Sequence, residues 1–323
     1  MAEATAFWTI APGRGELRRE ALRAPGPDEV LVEARFSGIS RGTERLVHHG
    51  LVPASQHGPM RAPFQAGAFS FPVKYGYSSV GVVMAGPTGL QGERVFCLHP
   101  HQDRYVVPAD AVTLVPAELP DARAVLAANM EAALNGLWDG APRIGDRIAV
   151  VGAGVVGALA AALAGRLPGV RVELIDVDPA KEAVARSLAV PFRLPAMATG
   201  EADLVIHASG SSDGLALALD LAGFEATVLE LSWYGDQPVR APLGEAFHSR
   251  RLTLRSSQVG AVAGARRARR SRRERLSLAL ELLIDARFDA LLAPAVPLVR
   301  LPEVMSELMT GPSDVMCQLV AYR

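Results

Sequence analysis

Two hydrophobic rhythms divide the chain near Pro120. Before it, short β-type runs such as Val30–Phe36, Val80–Met84 and Arg94–Leu98 are separated by Gly and Pro clusters. Pro25-Gly-Pro-Asp28 and Gly89-Leu-Gln-Gly92 are turn signals of this kind. The stretch Leu51–Phe71 carries Pro53, Pro59 and Pro63 with no period, which predicts a long, functional or mobile loop. Beyond Pro120 the spacing turns helical over Asp121–Trp138, with Val125, Leu126, Met130, Leu134 and Leu137 on one face. Strands and helices then alternate. The strands are 148–151, 172–176, 204–207, 227–231 and 252–255, and helices fill 155–166, 179–188 and 213–221. Such alternation predicts an α/β unit with a doubly wound parallel sheet. Helices at Glu274–Ile284 and Pro302–Met309 and a closing strand at Val315–Ala321 follow.

Composition narrows the class. The 323 residues are 50% hydrophobic and 21% charged, enough for one or two full cores, which excludes a disordered chain. Two cysteines, Cys97 and Cys317, exclude a disulfide framework and a four-cysteine zinc site and point to a reducing compartment. A formal net charge of −1 gives no global pull toward nucleic acid or an anionic membrane. The N-terminus lacks the basic and apolar regions of a signal peptide. Ile148–Gly165 is uncharged and long enough to raise a membrane span, but its glycines and alanines read as strand, turn and buried helix. The expectation is a cytoplasmic protein with no membrane and no nucleic-acid partner. Arg266–Arg275 holds seven arginines in ten residues without interleaved aromatics, and reads as a solvated helix face. His48-His49 lies in a polar stretch and reads as surface.

The sharpest motif is Gly152-Ala-Gly154-Val155-Val156-Gly157. It follows a strand and opens a helix, as a dinucleotide fingerprint requires. Gly152 permits the tight turn, Gly154 admits a pyrophosphate, and Gly157 lets helix and strand pack closely. The N–H groups of Val155 and Val156, in the helix's first turn, face the phosphates. Asp176 closes the next strand 19 residues on, where a carboxylate accepts from ribose hydroxyls and repels a 2′-phosphate. NAD(H) is therefore favoured over its phosphorylated form. Lys181 is placed to reach the adenosine ribose. Ser209 and Gly210, after the strand 204–207, complete the expected cofactor set.

The whole chain resembles the medium-chain dehydrogenase/reductase superfamily, the alcohol-dehydrogenase-like proteins. Gly38-Ile-Ser-Arg-Gly-Thr-Glu44 is similar to the family's first active-site loop, Tyr75-Gly-Tyr-Ser-Ser-Val-Gly-Val-Val83 to its Gly-His-Glu-x-x-Gly segment, and Gly92-Glu-Arg-Val-Phe-Cys-Leu98 to its Gly-Asp-x-Val strand. Ile144–Gly157 matches the entry into its cofactor domain. The form Ile39-Ser-Arg-Gly-Thr-Glu44 also resembles the bacteriochlorophyllide hydroxyethyl dehydrogenase branch. The resemblance implies a GroES-like catalytic domain over 1–125, completed by 259–323, and a Rossmann domain over 126–258. It also implies a substrate cleft between them under the Leu51–Phe71 loop, and a homodimer paired through the strand at Leu252-Thr-Leu-Arg255.

The departures matter as much. Zinc-dependent members hold the metal through a Cys in the first loop, the His of Gly-His-Glu, and a third ligand before the cofactor domain. This chain has Ser40-Arg41 in place of that Cys, and Tyr77-Ser78 in place of His-Glu; Glu131 alone falls near the third position. Hydroxyls are poor zinc donors, and the cysteine-rich lobe of a structural zinc is missing. Cys97, His99 and His101 would share one face of a strand, but Pro100 interrupts pairing and no fourth donor is evident. No metal is expected. The resemblance places His99 on the pocket-lining strand as a proton carrier suited to neutral pH. Tyr77 stands at the lost ligand position, Ser40 and Thr43 resemble the hydroxyl relay, and Glu44 the acid behind it. Arg41 is similar to an arginine that grips the cofactor pyrophosphate. The implied activity is hydride transfer between NAD(H) and an alcohol or carbonyl substrate without zinc. The rivals are a non-catalytic NAD(H)-binding sensor or partner protein and an NADPH-dependent reductase of activated double bonds.

Overall fold

A computed structural model describes residues 2–311 and 314–322. The chain divides into two compact units, one built from 1–128 and 276–323, the other from 129–275.

The first unit is β-rich. Its larger sheet has seven strands in the order Leu292–Pro297, Cys317–Ala321, Glu29–Ile39, Ser79–Ala85, Arg94–Cys97 and Val112–Leu114, with Arg104–Pro108 paired to the first half of Glu29–Ile39. The closing strand is thus real, and it runs antiparallel to the long strand, Gln318 opposite Ile39. Val30, Val32, Ala34, Val83, Val95 and Tyr105 form one buried cluster on this sheet. A second sheet holds a hairpin that the apolar pattern does not announce, Ala2–Ala11 with Arg14–Leu22, in which Thr5 pairs with Arg19. The second hairpin strand reads Arg-Gly-Glu-Leu-Arg-Arg-Glu-Ala-Leu, so its charged residues hide the alternation. The Leu51–Phe71 stretch is ordered locally: Arg61 donates to the carbonyls of Gln65 and Gly67 at 2.6 and 3.0 Å, and Ala66–Gly67 pairs with Val73–Lys74.

The second unit is a six-stranded, all-parallel sheet. Its order is Phe192–Arg193, Arg171–Ile175, Arg147–Val151, Ala202–His207, Ala222–Glu230 and Thr253–Ser256. This is the doubly wound 3-2-1-4-5-6 arrangement, whose strand order reverses between Arg147–Val151 and Ala202–His207. The helix Val155–Ala164 is buried along nearly its whole length, as its alanine-rich sequence requires. Among the described residues no helix is long and apolar enough to cross a membrane, and the Ile148–Gly165 stretch is strand, turn and buried helix.

The return to the first unit falls at 275/276 rather than at the expected 258/259. Residues 259–275 stay with the second unit because Arg275 is fully buried there. Its guanidinium donates to Glu131 at 2.9 Å, to Asn135, and to the carbonyls of Val259 and Ala261. The arginine-rich segment is therefore solvated except at this one position.

Candidate active site

In the second unit the glycine motif forms a cradle. Gly152 has φ +105°, and a Cβ there would stand 2.6 Å from the Ser209 nitrogen. A Cβ on Gly157 would stand 1.9 Å from the Gly152 carbonyl oxygen, so the helix can meet the turn only without a side chain. Around Gly154 the corresponding space is open. Val155 and Val156 begin the helix Val155–Ala164, whose first N–H groups have no intrahelical partner. Asp176 follows the strand Arg171–Ile175 and reaches across this turn: its carboxylate accepts from the Ala153 N–H at 2.7 Å and from the Asp178 N–H at 3.0 Å. Lys181 opens the next helix with its ammonium 3.9 Å from Asp178. Gly210 is left-handed, φ +66°, and its N–H donates to Ser232 Oγ at 3.0 Å.

In the first unit, Ser40 stands at the N-cap of the helix Arg41–His48 and Thr43 lies in its first turn. The hydroxyls of both meet the Tyr77 phenol, whose pKa burial pushes up from its ordinary value. Tyr77 comes from a different segment than Ser40 and Thr43, and the fold brings the three hydroxyls together. Behind them runs a buried chain. Glu44 accepts from the Ser40 N–H at 2.8 Å and from His101 Nε2 at 2.9 Å. His101 Nδ1 lies 2.7 Å from Ser37 Oγ, which lies 2.8 Å from the Tyr322 hydroxyl. Glu44 and His101 are 2% and 1% exposed, so both rely on these protein partners rather than on solvent. Ser37 and Tyr322 carry no sequence signal: their partners are 64 and 285 residues away.

His99 packs against a different set of rings. Its ring stacks on Tyr105 with centroids 3.7 Å apart and an 8° interplanar angle, and on Phe64 at 5.7 Å. Its Nδ1 donates to the Pro100 carbonyl at 3.0 Å. Burial pushes its pKa down to about 3, so the ring is neutral at pH 7. Arg41 is also placed differently from expectation. Its guanidinium donates to the carbonyls of Leu308 (2.9 Å) and Gly311, capping the helix Leu301–Met309. The reading of His48 as surface is corrected, since it is 1% exposed and its Nδ1 lies 3.2 Å from Thr9 Oγ1. Its neighbour His49 is half-buried with Nε2 3.0 Å from the Met309 carbonyl.

The donor set does not suit zinc. Tyr77 is engaged by Ser40 and Thr43, the Glu131 carboxylate by Arg275, and His101 by Glu44 and Ser37. Among the described residues no group of three or more His, Cys, Asp and Glu is arranged to hold a metal.

No family model matches the chain. Among curated proteins it is similar to the 2-desacetyl-2-hydroxyethyl bacteriochlorophyllide A dehydrogenase of Cereibacter sphaeroides, 35% identical over 164 residues, 44% of this chain and 46% of that one. The protein of the same name from Rhodobacter capsulatus is 40% identical over 78 residues, 23% of this chain and 21% of that one. The matches thus span less than half the length of these relatives. Solved structures align end to end. A thermostable alcohol dehydrogenase from Pyrobaculum aerophilum superposes with a TM-score of 0.78 at 22% identity, covering 99% of this chain and 100% of that one. A zinc-binding dehydrogenase, so described, from Sinorhizobium meliloti with NADP bound gives 0.79 at 19% identity, covering 99% and 100%. An Escherichia coli alcohol dehydrogenase complexed with NADH gives 0.78 at 16% identity, covering both chains fully. The fold is that of the alcohol-dehydrogenase-like, medium-chain enzymes, a GroES-like β-rich unit and a Rossmann unit.

Proposed function

We propose that the protein is an NAD(H)-dependent oxidoreductase that moves hydride between the nicotinamide and an alcohol or carbonyl carbon without a catalytic zinc. The observation that carries this reading is the open cradle at Gly154 with the Asp176 carboxylate set across it. The pyrophosphate would lie on the first N–H groups of the helix at Val155 and Val156, and the ribose hydroxyls would bond Asp176. The fit is to an unphosphorylated ribose, because a carboxylate repels a 2′-phosphate. The nicotinamide supplies or accepts the hydride when bound. Ser209, Gly210 and Lys181 flank this cradle, whereas the Arg41 guanidinium already donates to the carbonyls of Leu308 and Gly311.

The polar chemistry falls to Tyr77, Ser40 and Thr43. A phenol whose pKa is held up by burial keeps its proton at neutral pH and donates it to a carbonyl oxygen as that carbon is reduced. In alcohol oxidation the same phenol takes the hydroxyl proton as it passes its own on to Ser40 or Thr43. Ser40 and Thr43 fix its direction and can replace the proton it gives up. Glu44 and His101 hold the helix N-terminus on which Ser40 sits. His99 is disfavoured as the donor, since a ring with a pKa of about 3 carries no acidic proton to spare at pH 7. The names of the curated relatives make a hydroxyethyl-substituted bacteriochlorophyllide the first substrate to try. Titration with NADH and a turnover panel of alcohols and aldehydes tests the reading: binding with turnover supports it, and binding without turnover on any of them favours the sensor.

A further inference from the structure

At the carboxyl edge of the parallel sheet, six polar groups of the second unit form one closed network. His207 ends the strand Ala202–His207 with its side chain fully buried. Its Nδ1 lies 2.7 Å from Glu230 Oε2 on the adjacent strand, and its Nε2 lies 2.6 Å from Ser209 Oγ. The Tyr234 hydroxyl donates to Glu230 Oε2 at 2.8 Å, and the Ser232 N–H to Glu230 Oε1 at 2.7 Å. On the other side, Ser209 Oγ lies 3.0 Å from Ser211 Oγ, which accepts from the Gly214 N–H at 3.0 Å as the helix N-cap.

The acceptor-only carboxylate fixes the direction of every proton. Glu230 can only accept, so His207 Nδ1 carries the ring proton, and in the neutral ring Nε2 is left bare. Ser209 must then donate to Nε2, and Ser211 to Ser209. The chain runs Ser211 → Ser209 → His207 → Glu230, with Tyr234 feeding the same carboxylate oxygen. No hydrogen bond in it is free to reverse while Glu230 is ionised and the His207 ring carries a single proton. The pairing also holds the Glu230 carboxyl below its ordinary value, with His207 and Ser232 outweighing the effect of burial.

This chain ends where the glycine cradle begins. The Ser209 nitrogen stands 2.6 Å from where a Gly152 Cβ would be, so the two loops share one packing surface. A Cβ on Gly214 would stand 2.1 Å from Ser209 Oγ and 2.8 Å from His207 Nε2, so the helix start closes over the network. Glu230 also grips the backbone at Ser232, whose hydroxyl accepts from the Gly210 N–H. We infer that His207 and Glu230 are positioning residues for dinucleotide binding, a brace that sets the Ser209–Gly210 and Ser232 loops against the Gly152 turn. This rests on the cradle being a dinucleotide site.

Glu230→Gln keeps shape but offers an N–H to His207 Nδ1. With the amide oxygen kept on the Ser232 N–H, the ring takes the other tautomer, Nε2–H donates to Ser209, Ser209 turns its proton to Ser211, and Ser211 no longer donates within the chain. The expected result is an NADH dissociation constant raised about tenfold, as for one lost well-placed hydrogen bond. In the same sample, histidine nitrogen NMR should show the proton moving from Nδ1 to Nε2. Ser209→Ala should weaken NADH comparably, and the double variant should be no worse than either single one, because both act through one chain. Additive losses, or Glu230→Gln binding NADH as the parent does, would overturn the inference. If a variant fails to fold, His207→Gln, which can still bridge Ser209 and Glu230 with one donor and one acceptor, should retain NADH binding; a loss there in folded protein counts against the brace. A parent protein that binds no dinucleotide at all would remove the functional reading and this inference with it, a failure distinguishable from normal binding by the variants.

Discussion

The Arg275 guanidinium meets the Glu131 carboxylate at 2.9 Å with both side chains withdrawn from solvent, and the same guanidinium bonds Asn135 and two backbone carbonyls. One side chain thereby anchors the whole segment that follows Val259. Burial pushes the Glu131 carboxyl up, and Arg275 pulls against it. Removing one partner of such a pair leaves the other buried and uncompensated, at a cost of about 3–5 kcal/mol. Arg275→Leu should lose stability on that scale in urea unfolding, and Arg275→Lys should not restore it, since a point charge cannot serve four acceptors in a plane. Glu131→Gln should cost less. An unfolding midpoint unchanged in Arg275→Leu would show that the anchor is idle.

On the proposed reading, Asp176 sets the choice of cofactor. NADH should bind more tightly than NADPH, by lost ribose hydrogen bonds and by charge repulsion with the 2′-phosphate. Asp176→Ser should narrow the gap by weakening NADH and relieving NADPH. Fluorescence titration of both cofactors measures it, and equal affinities in the parent protein would sink the assignment.

His99 makes a pH prediction. Its folded pKa, about 3, lies below the ordinary histidine value near 6.5, so its neutral form is the one the fold holds. The stabilisation is present above pH 6.5 and is lost as pH falls from there toward 3, because the unfolded chain takes up a proton that the folded one refuses. His99→Phe keeps an aromatic ring against Tyr105 and Phe64 but cannot titrate. The parent's stability should therefore fall faster with acid than the variant's, by up to about 1.4 kcal/mol per pH unit. Parallel stability curves between pH 6 and 4 would refute the placement. Turnover at pH 7 in this variant should survive, since the proposed donor is Tyr77.

The strand Thr253–Ser256 is the sheet's last, and all four of its residues are exposed. An edge of this kind invites pairing, and a two-fold dimer is the commonest closed form. A homodimer is expected in solution, and Leu254→Pro should make it monomeric by removing an edge donor. Light scattering gives the mass, and a monomeric parent would end this expectation.

Much of the second unit was legible because local pattern and global fold agree there. Gly152, Gly154, Gly157 and Asp176 report on backbone shape and strand ends, which spacing encodes directly. The first unit was harder. The hairpin Ala2–Leu22 is masked by charges on its second strand, and Arg41, His48 and Arg275 sit in polar sequence yet are tied down or buried by distant partners. The Glu44–His101–Ser37–Tyr322 chain joins four separate stretches. Nothing periodic marks such contacts, because a buried polar residue is specified by whichever partner the fold delivers. Tyr77, Ser40 and Thr43 were found only through resemblance to a family loop, not from their own spacing.

The most direct test follows the hydride. Protein stripped of metal by chelation would be incubated with NAD⁺ and a secondary alcohol deuterated at its carbinol carbon, beginning with a hydroxyethyl-bearing tetrapyrrole. Deuterium should appear on the nicotinamide ring, detected by mass spectrometry, at a rate unchanged by added zinc. That transfer should fall by about 10²-fold or more in Tyr77→Phe with NADH affinity retained. Transfer that appears only when zinc is restored, or no transfer to any alcohol from protein that binds NADH, would contradict zinc-free hydride transfer.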